Sequence, residues 1–270
     1  MIAQLLAGET GARLVVFSCV LTIMALWELM RPRRPGVERI KRWPSNLGIA
    51  LLDAGLVRVL FPVSAAAFAV IAQQRGWGLL SIATMPEATN VLIAFVVLDF
   101  AIWAQHRLFH AVPVLWRLHR MHHADTHLDV TSGARFHPIE ILLSMAIKLA
   151  VIAVIAVIGA PALAVVLFEI VLNATAMFNH SNVRMPIALD RFLRWLVVTP
   201  DMHRVHHSIV ECETNSNFGF NLPWWDRLFG TYRAEPEAGH GGMTIGLKDF
   251  REASEQRIDR LLTQPFRDPN

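Results

Sequence analysis

Apolar residues in this chain run in blocks longer than a globular core requires. Stretches near residues 12–30, 47–72, 89–105, 139–158 and 162–179 are almost unbroken in Leu, Val, Ile, Ala, Met and Phe, and a helix needs roughly 20 such residues to cross about 30 Å of hydrocarbon. About five spanning or hairpin helices are therefore predicted. The run from Ile139 to Phe178 is broken by Gly159-Ala160-Pro161, which reads as a turn between antiparallel arms. Beyond about residue 180 the apolar density falls. The tail KDFREASEQRIDRLL spaces Phe250, Ala253, Arg257, Ile258, Leu261 and Leu262 as one face of an amphipathic helix, expected to pack on the protein or the bilayer surface. The fold class expected is all-α: an integral-membrane helical bundle carrying a cytoplasmic histidine-rich helical cap.

Composition supports the bilayer as solvent, with 54% hydrophobic and 17% charged residues. Charge then orients the spans. Arg31, Arg33, Arg34, Arg39, Lys41 and Arg42 crowd the loop after the first span, whereas the loop after the second carries only Arg75. Basic loops stay in the cytoplasm, so the first loop, the ends of spans three and five and the C-terminal region are predicted to face inward at an inner or plasma membrane. The start MIAQLLAGETGAR has neither a basic n-region nor a small-residue cleavage site and is read as a retained helix. The basic residues sit beside the membrane and beside histidines, a pattern that fits anchoring and not nucleic acid. Cys19 and Cys212 are the only cysteines, too few for an iron-sulfur cluster.

Two helix starts are marked. HPIE places Pro138 at a first helical position with Glu140 in the first turn, and TPD gives Thr199 as cap, Pro200 at the first position and Asp201 in the first turn.

The histidines carry the chemistry. His106 and His110 are four apart; His119, His122 and His123 fall at i, i+3 and i+4, and His203, His206 and His207 repeat that spacing. On a helix these positions stack on one face. His180 adds an imidazole at the end of the fifth span, and His137 stands open between a ligand and a residue that supports one. His127 and His240 are read as hydrogen-bonded packing residues. The predicted topology places all the boxes on one side of the membrane. One ion cannot use nine imidazoles, so two ions with four or five each are expected. Imidazole suits zinc, copper, iron and nickel, which leaves the metal open at this point. Coordination needs neutral imidazole, so metal loss is expected as pH falls well below about 6, and retention of both metals at pH 4 would count against exposed all-histidine ligation.

HRLFH, HRMHH, FNHSN and HRVHH, with RFHPIE and NFGFNLPWWDRLFGTY, resemble the fatty acid hydroxylase and sterol desaturase superfamily over about Asp99 to Tyr232. The resemblance implies an O2-dependent di-iron enzyme that hydroxylates or desaturates a lipid acyl, sterol or isoprenoid chain taken from the bilayer. His106, His110, His119, His122, His123, His180, His203, His206 and His207 would hold the two iron ions. Electrons would come from a separate ferredoxin, cytochrome or reductase. The division it suggests is an N-terminal membrane region with its basic loop (1–88), a hydroxylase-like catalytic region (89–232) and a cytoplasmic tail (233–270). A non-redox zinc-binding or metal-handling membrane protein is the alternative. Ala176, one turn before His180, leaves that side one histidine short of a paired box, which water or Asn179 would complete.

Asp99, Asp125, Asp129, Glu140, Asp201 and Asp226 are candidates to accept a proton from a ligand's second ring nitrogen. Arg107, Arg120 and Arg204, each following the first histidine of a box, are read either as solvated or phosphate-facing or as partners of those carboxylates. Asp53 with Arg58, and Lys148 with Glu169, are charges inside spans and are read as structural partners facing the bundle. Trp224 and Trp225, beside Leu228 and Phe229, are read as an interfacial belt that could also roof the site.

Overall fold

A computed structural model describes residues 2–35, 38–61, 63–76, 85–156 and 161–268, without the side chains of residues 2–9 and 153–156. Its long helices are α1 (Ile2–Met30), α2 (Arg39–Leu60), α3 (Ala65–Gln74), α4 (Glu87–Ala111), α5 (Pro113–His123), α6 (Pro138–Ala156) and α7 (Ala162–His180). After them come short cap helices, among them α8 (Ile187–Leu193) and α9 (Pro200–His206). Among the described residues there is no strand, only the isolated bridges Pro32–Val183 and Ser208–Ile245. The all-α membrane bundle holds.

Among the described residues, four segments are long and apolar enough to cross a bilayer: Thr10–Met30, Arg39–Gln74, Glu87–Ala111 and Ala162–His180. The fifth predicted span forms α6, whose far end, with most of the predicted turn at Gly159 and Ala160, lies outside the described residues. Half of the Ala162–His180 window is buried against 11% of Thr10–Met30, which makes α7 the central post and α1 a peripheral one. Apolar residues at the rim, such as Leu14, Ile23, Leu51, Val59 and Leu92, face outward, as a lipid-facing surface requires. Ala65, Ala66 and Ala69 of α3 pack with Ala94 of α4 and Ala164 and Val165 of α7; small side chains let helix backbones approach where no hydrophobic drive separates protein from lipid.

Charge inside the bundle is partnered in one place and not in another. Glu169 of α7 accepts from Lys148 of α6 and Arg13 of α1, each at 2.8 Å. The expected Asp53–Arg58 pair does not form: Arg58 is exposed, while Asp53 is buried with Oδ1 unpaired. Five residues along a helix separate two side chains by about 140°, so they point to different sides.

The basic loop after α1 belongs to the fold as well as to the membrane edge. Arg42 is 2% exposed and grips Asp125 at 2.5 and 2.6 Å and Asp129 at 2.7 Å. Arg33 binds both oxygens of Asp201 at 3.0 Å, and its N–H donates to Asn182 O, just past α7. These contacts bring the loop, the ends of α4 and α7 and both three-histidine boxes to one end of the bundle.

The tail departs from the expected single amphipathic helix. Residues Ala253–Gln256 form a 3-10 turn, Ile258–Thr263 a six-residue helix and Gln264–Phe266 another 3-10 turn. Arg257 between them is extended with ψ 146°, and Phe250 has φ 58°. Tertiary contacts explain the break: Leu261 is buried against Ile49 and Met121, and the carbonyls of Gln264 and Arg267 accept from Arg120 at 2.7 and 2.5 Å. The tail therefore packs on the protein, as one of the two expected surfaces.

Candidate metal centre

Each helix start marked in the sequence appears where its chemistry places it. Thr199 caps α9 by accepting Met202 N–H at 3.3 Å, with Pro200 first and Asp201 in the first turn. Helix α6 begins at Pro138 with Glu140 in its first turn. These starts aim His203 and His206, and the carboxylate of Glu140, into the end of the bundle. A third helix, α4, carries His106 and His110 in its last two turns.

Nine histidines converge there as two groups. One gathers His106, His110, His119, His123 and His206; the other gathers His122, His180, His203 and His207, with all candidate donor atoms of each group within 4.8 Å of one another. The two boxes contribute reciprocally. The box on α5 places its i, i+4 pair in the first group and His122 in the second, while the box at α9 places its i, i+4 pair in the second and His206 in the first. His137 stays outside both groups: its Nδ1 accepts Ile139 N–H at 3.2 Å and its Nε2 faces Leu262 O at 3.1 Å. His127 lies beside Thr126, and His240 beside Glu235 at 2.9 Å.

Hydrogen bonds fix the ring protons. A carbonyl oxygen only accepts, so Nδ1 of His106 donates to Phe218 O at 2.7 Å, of His206 to Ser216 O at 2.7 Å, of His180 to Ala176 O at 2.7 Å and of His122 to Arg135 O at 3.1 Å. Nδ1 of His119 donates to the Glu140 carboxylate at 2.7 Å. Each of these rings, as a neutral imidazole, then presents a bare lone pair at Nε2. Yet Nε2 of His106 lies 3.0 Å from that of His119 and 3.0 Å from that of His206, and Nε2 of His122 lies 3.0 Å from that of His180.

Lone pairs facing one another at this range repel unless a cation lies among them. With metal–nitrogen bonds of about 2.0–2.1 Å, ligands at right angles put their nitrogens about 3.0 Å apart and tetrahedral ones about 3.4 Å apart. The spacing fits ions with more than four ligands. Nε2 of His110 and His123 and both ring nitrogens of His207 are buried with no hydrogen-bond partner, as one nitrogen of each ring would be if it were a ligand. The residues present fit metal.

Burial keeps the donors unprotonated. His119, His122, His123, His203, His206 and His207 are at most 1% exposed. Loss of water, followed for most of them by the neighbouring imidazoles, holds His122, His123, His203, His206 and His207 far below the ordinary histidine range, and His119 down to about 3. The premise of exposed ligands is corrected by this burial.

Of the six candidate carboxylates, only Glu140 reaches a clustered histidine. Asp125 and Asp129 are taken by Arg42, and Asp201 by Arg33. Asp99 accepts from Trp225 at 2.8 Å, and Asp226 from Trp103, Thr231 and the N–H groups of Phe218 and Gly219. Asp226 thus shapes the loop whose Phe218 carbonyl orients His106. Arg204 lies 3.5 Å from Asp201, Arg120 binds tail carbonyls and Arg107 lies over Trp103. Asn179 donates to Phe220 O at 3.0 Å, while its Oδ1 is buried and unpaired. Trp224 is 46% exposed with its N–H on Trp195 O.

The walls between and around the groups are aromatic. Phe136 stacks on His122 with centroids 4.4 Å apart, Phe218 touches His106 and His110, and Phe220 lies 5.0 Å from His106 and 5.7 Å from His203.

The model of the fatty acid hydroxylase family matches residues 91–231, more than half of the sequence and all nine clustered histidines. The chain belongs to the fatty acid hydroxylase family. Relatives of this family protein include the ornithine lipid hydroxylase OlsE of Rhizobium tropici, 30% identical over 259 residues that cover 87% of this chain and 74% of the relative. Alkylglycerol monooxygenase of Homo sapiens is 27% identical, covering 58% of this chain and 34% of its own. Cholesterol 25-hydroxylase of Rattus norvegicus is 27% identical, covering 56% and 49%. The chain thus spans half or less of the latter two. No solved structure matches it.

Proposed function

We propose that this protein is a membrane-bound di-iron hydroxylase that inserts oxygen from O2 into a C–H bond of a lipid chain entering from the bilayer. One iron would be held by His106, His110, His119, His123 and His206, the other by His122, His180, His203 and His207. The single observation that carries this reading is the convergence of nine imidazoles, eight buried and His110 half-buried, into groups of five and four, with the lone pairs of five rings turned inward by their hydrogen bonds. When bound, such a redox pair supplies the oxidant that an unreactive C–H bond requires.

The chain's own groups do the rest. The five carbonyl or carboxylate acceptors hold the ring protons away from the metal side, and Glu140 keeps His119 aligned and electron-rich. Phe136, Phe218 and Phe220 exclude water and offer hydrocarbon a surface. The relatives' names, a lipid hydroxylase, a monooxygenase and a sterol hydroxylase, support a lipid substrate and favour hydroxylation over desaturation. The basic loop shares its end of the bundle with the histidines, which by the positive-inside rule supports a centre on the cytoplasmic face, where a separate ferredoxin, cytochrome or reductase would deliver electrons.

Metal analysis of the purified protein is expected to give two irons per chain, with oxygen uptake that depends on added lipid and a product heavier by one oxygen atom. Zinc in place of iron with no oxygen consumption would overturn the reading in favour of a non-redox metal protein.

A further inference from the structure

Beside the metal centre, and separate from its ligands, lies a cavity of about 210 Å³ with Arg34, His127, Asn182, Arg204, Ile245 and Arg251 in its wall and no acidic side chain among its lining residues. Liquid water occupies about 30 Å³ per molecule, so the space admits a tetrahedral oxyanion with several waters. Arg34 stands four residues beyond the end of α1 and Asn182 two beyond the end of α7. Both helices are candidate spans. The cavity therefore sits at the level where a span leaves the hydrocarbon.

Its floor is a charge whose hydrogen bonds are incomplete. Arg204 is 1% exposed; its Nη2 donates to Ser181 O at 3.3 Å, but Nη1 has no partner and Nε lies 3.5 Å from Asp201. That carboxylate already receives Arg33 on both oxygens at 3.0 Å. A buried guanidinium left this way carries an unmet hydrogen-bonding cost.

Arg251 is held in place from the other side. Its Nη1 donates to Ile245 O at 3.0 Å and Leu247 O at 2.7 Å. Gly246, at φ +104°, clears the way: a Cβ there would come within 3.1 Å of that same nitrogen. Planar guanidinium groups arranged around a small cavity match the oxygens of an oxyanion, and phosphate is the oxyanion that phospholipids hold at this level of the membrane.

We propose that this cavity binds the phosphoryl group of a phospholipid headgroup at the membrane edge. The site stands whatever ions the histidines hold. It gives the protein a lipid contact one residue away from His203, through Arg204.

The test uses the full chain purified in detergent with its metals, and a double variant, Arg34→Gln with Arg251→Gln, at positions outside the histidine groups. Calorimetric titration with short-chain phosphatidylglycerol, with the matching diacylglycerol that lacks phosphate and with inorganic phosphate reads the site directly, with metal content measured in parallel. Phosphatidylglycerol is expected to bind at least tenfold more tightly than the other two probes. The double variant is expected to lose roughly tenfold or more of that affinity, as two charge-assisted hydrogen-bonding groups imply, with unchanged metal. Arg204→Lys, which keeps charge but loses the fork, is expected to weaken phosphatidylglycerol more than the diacylglycerol. Equal or tighter binding of inorganic phosphate would overturn the headgroup assignment. Absence of saturable binding, or equal affinity in the double variant, would overturn the site.

Discussion

The five-histidine and four-histidine groups are built from the same kinds of box but supported differently. In the first, His119 leans on a carboxylate, Glu140, while His106 and His206 lean on carbonyls. In the second, His122 and His180 lean on carbonyls, and Nδ1 of both His203 and His207 has no hydrogen-bond partner. A carboxylate makes an imidazole a stronger donor, so the first group would hold an ion with more protein ligands and more charge. The lesson is asymmetry: the four-histidine group would leave a larger part of an ion's surroundings to ligands that are not protein.

Removing one donor from each group probes that asymmetry most severely. His180→Ala leaves three histidines in the smaller group and is expected to abolish lipid oxidation and release one ion per chain. His110→Ala leaves four in the larger group and is expected to retain both ions with reduced activity. Metal content by mass spectrometry separates the two; equal losses would mean that the groups stand or fall together.

Glu140→Gln keeps the shape and removes the charge. A loss of about 10–100-fold in activity or metal affinity is expected, confined to the ion of the larger group, as metal titration would reveal. A loss shared by both ions would break the distinction.

Gly133→Ala acts on the smaller group through packing. A Cβ at residue 133 would stand 2.5 Å from the Ala176 carbonyl oxygen, which orients His180. Overpacking of this kind costs about 1–3 kcal/mol, and thermal unfolding in detergent is expected to show it. An unchanged melting temperature would mean that the 3-10 turn at Val130–Ala134 yields without disturbing α7.

Mild acid is expected to do least. The imidazoles of the boxes are held far below an unfolded value near 6.5. As pH falls below about 6.5 the unfolded chain takes up protons that the folded chain refuses, so stability declines with falling pH across that window. The folded ligands stay neutral, and both ions are expected to remain bound at about pH 5.5. Metal release there from a chain that is still folded, followed by metal analysis after gel filtration, would contradict the burial of the groups.

The sequence was legible wherever a local rule governed. The long apolar runs, the cap at Thr199, the helix start at Pro138 and the helical spacing of the boxes all rest on contacts within a few residues, and each reappears among the described residues. Dividing nine imidazoles between two places anticipated groups of four or five, as the structure gathers them, but not which histidine joins which group, since that depends on how α5 and α9 face one another. The carbonyls of Phe218, Ser216, Arg135 and Ala176 left no trace in the sequence, because every residue carries one and only the fold aims it. The tail misled because its apolar period is real while its contacts with Arg120, Ile49 and Met121 are long-range. Arg42 is the same case in reverse: it reads as one of several loop cations, and only the meeting with Asp125 and Asp129 reveals a buried clamp.

The adjacent pairs His122–His123 and His206–His207 each send neighbouring residues to opposite groups. The separation of the two groups is thereby tied to the pitch of a single peptide step, twice over, and less to how far apart whole helices happen to pack. Breathing of the bundle would then change the space around two bound ions more than the distance between them. Grafting one box into another scaffold would transplant half of each centre and the whole of neither.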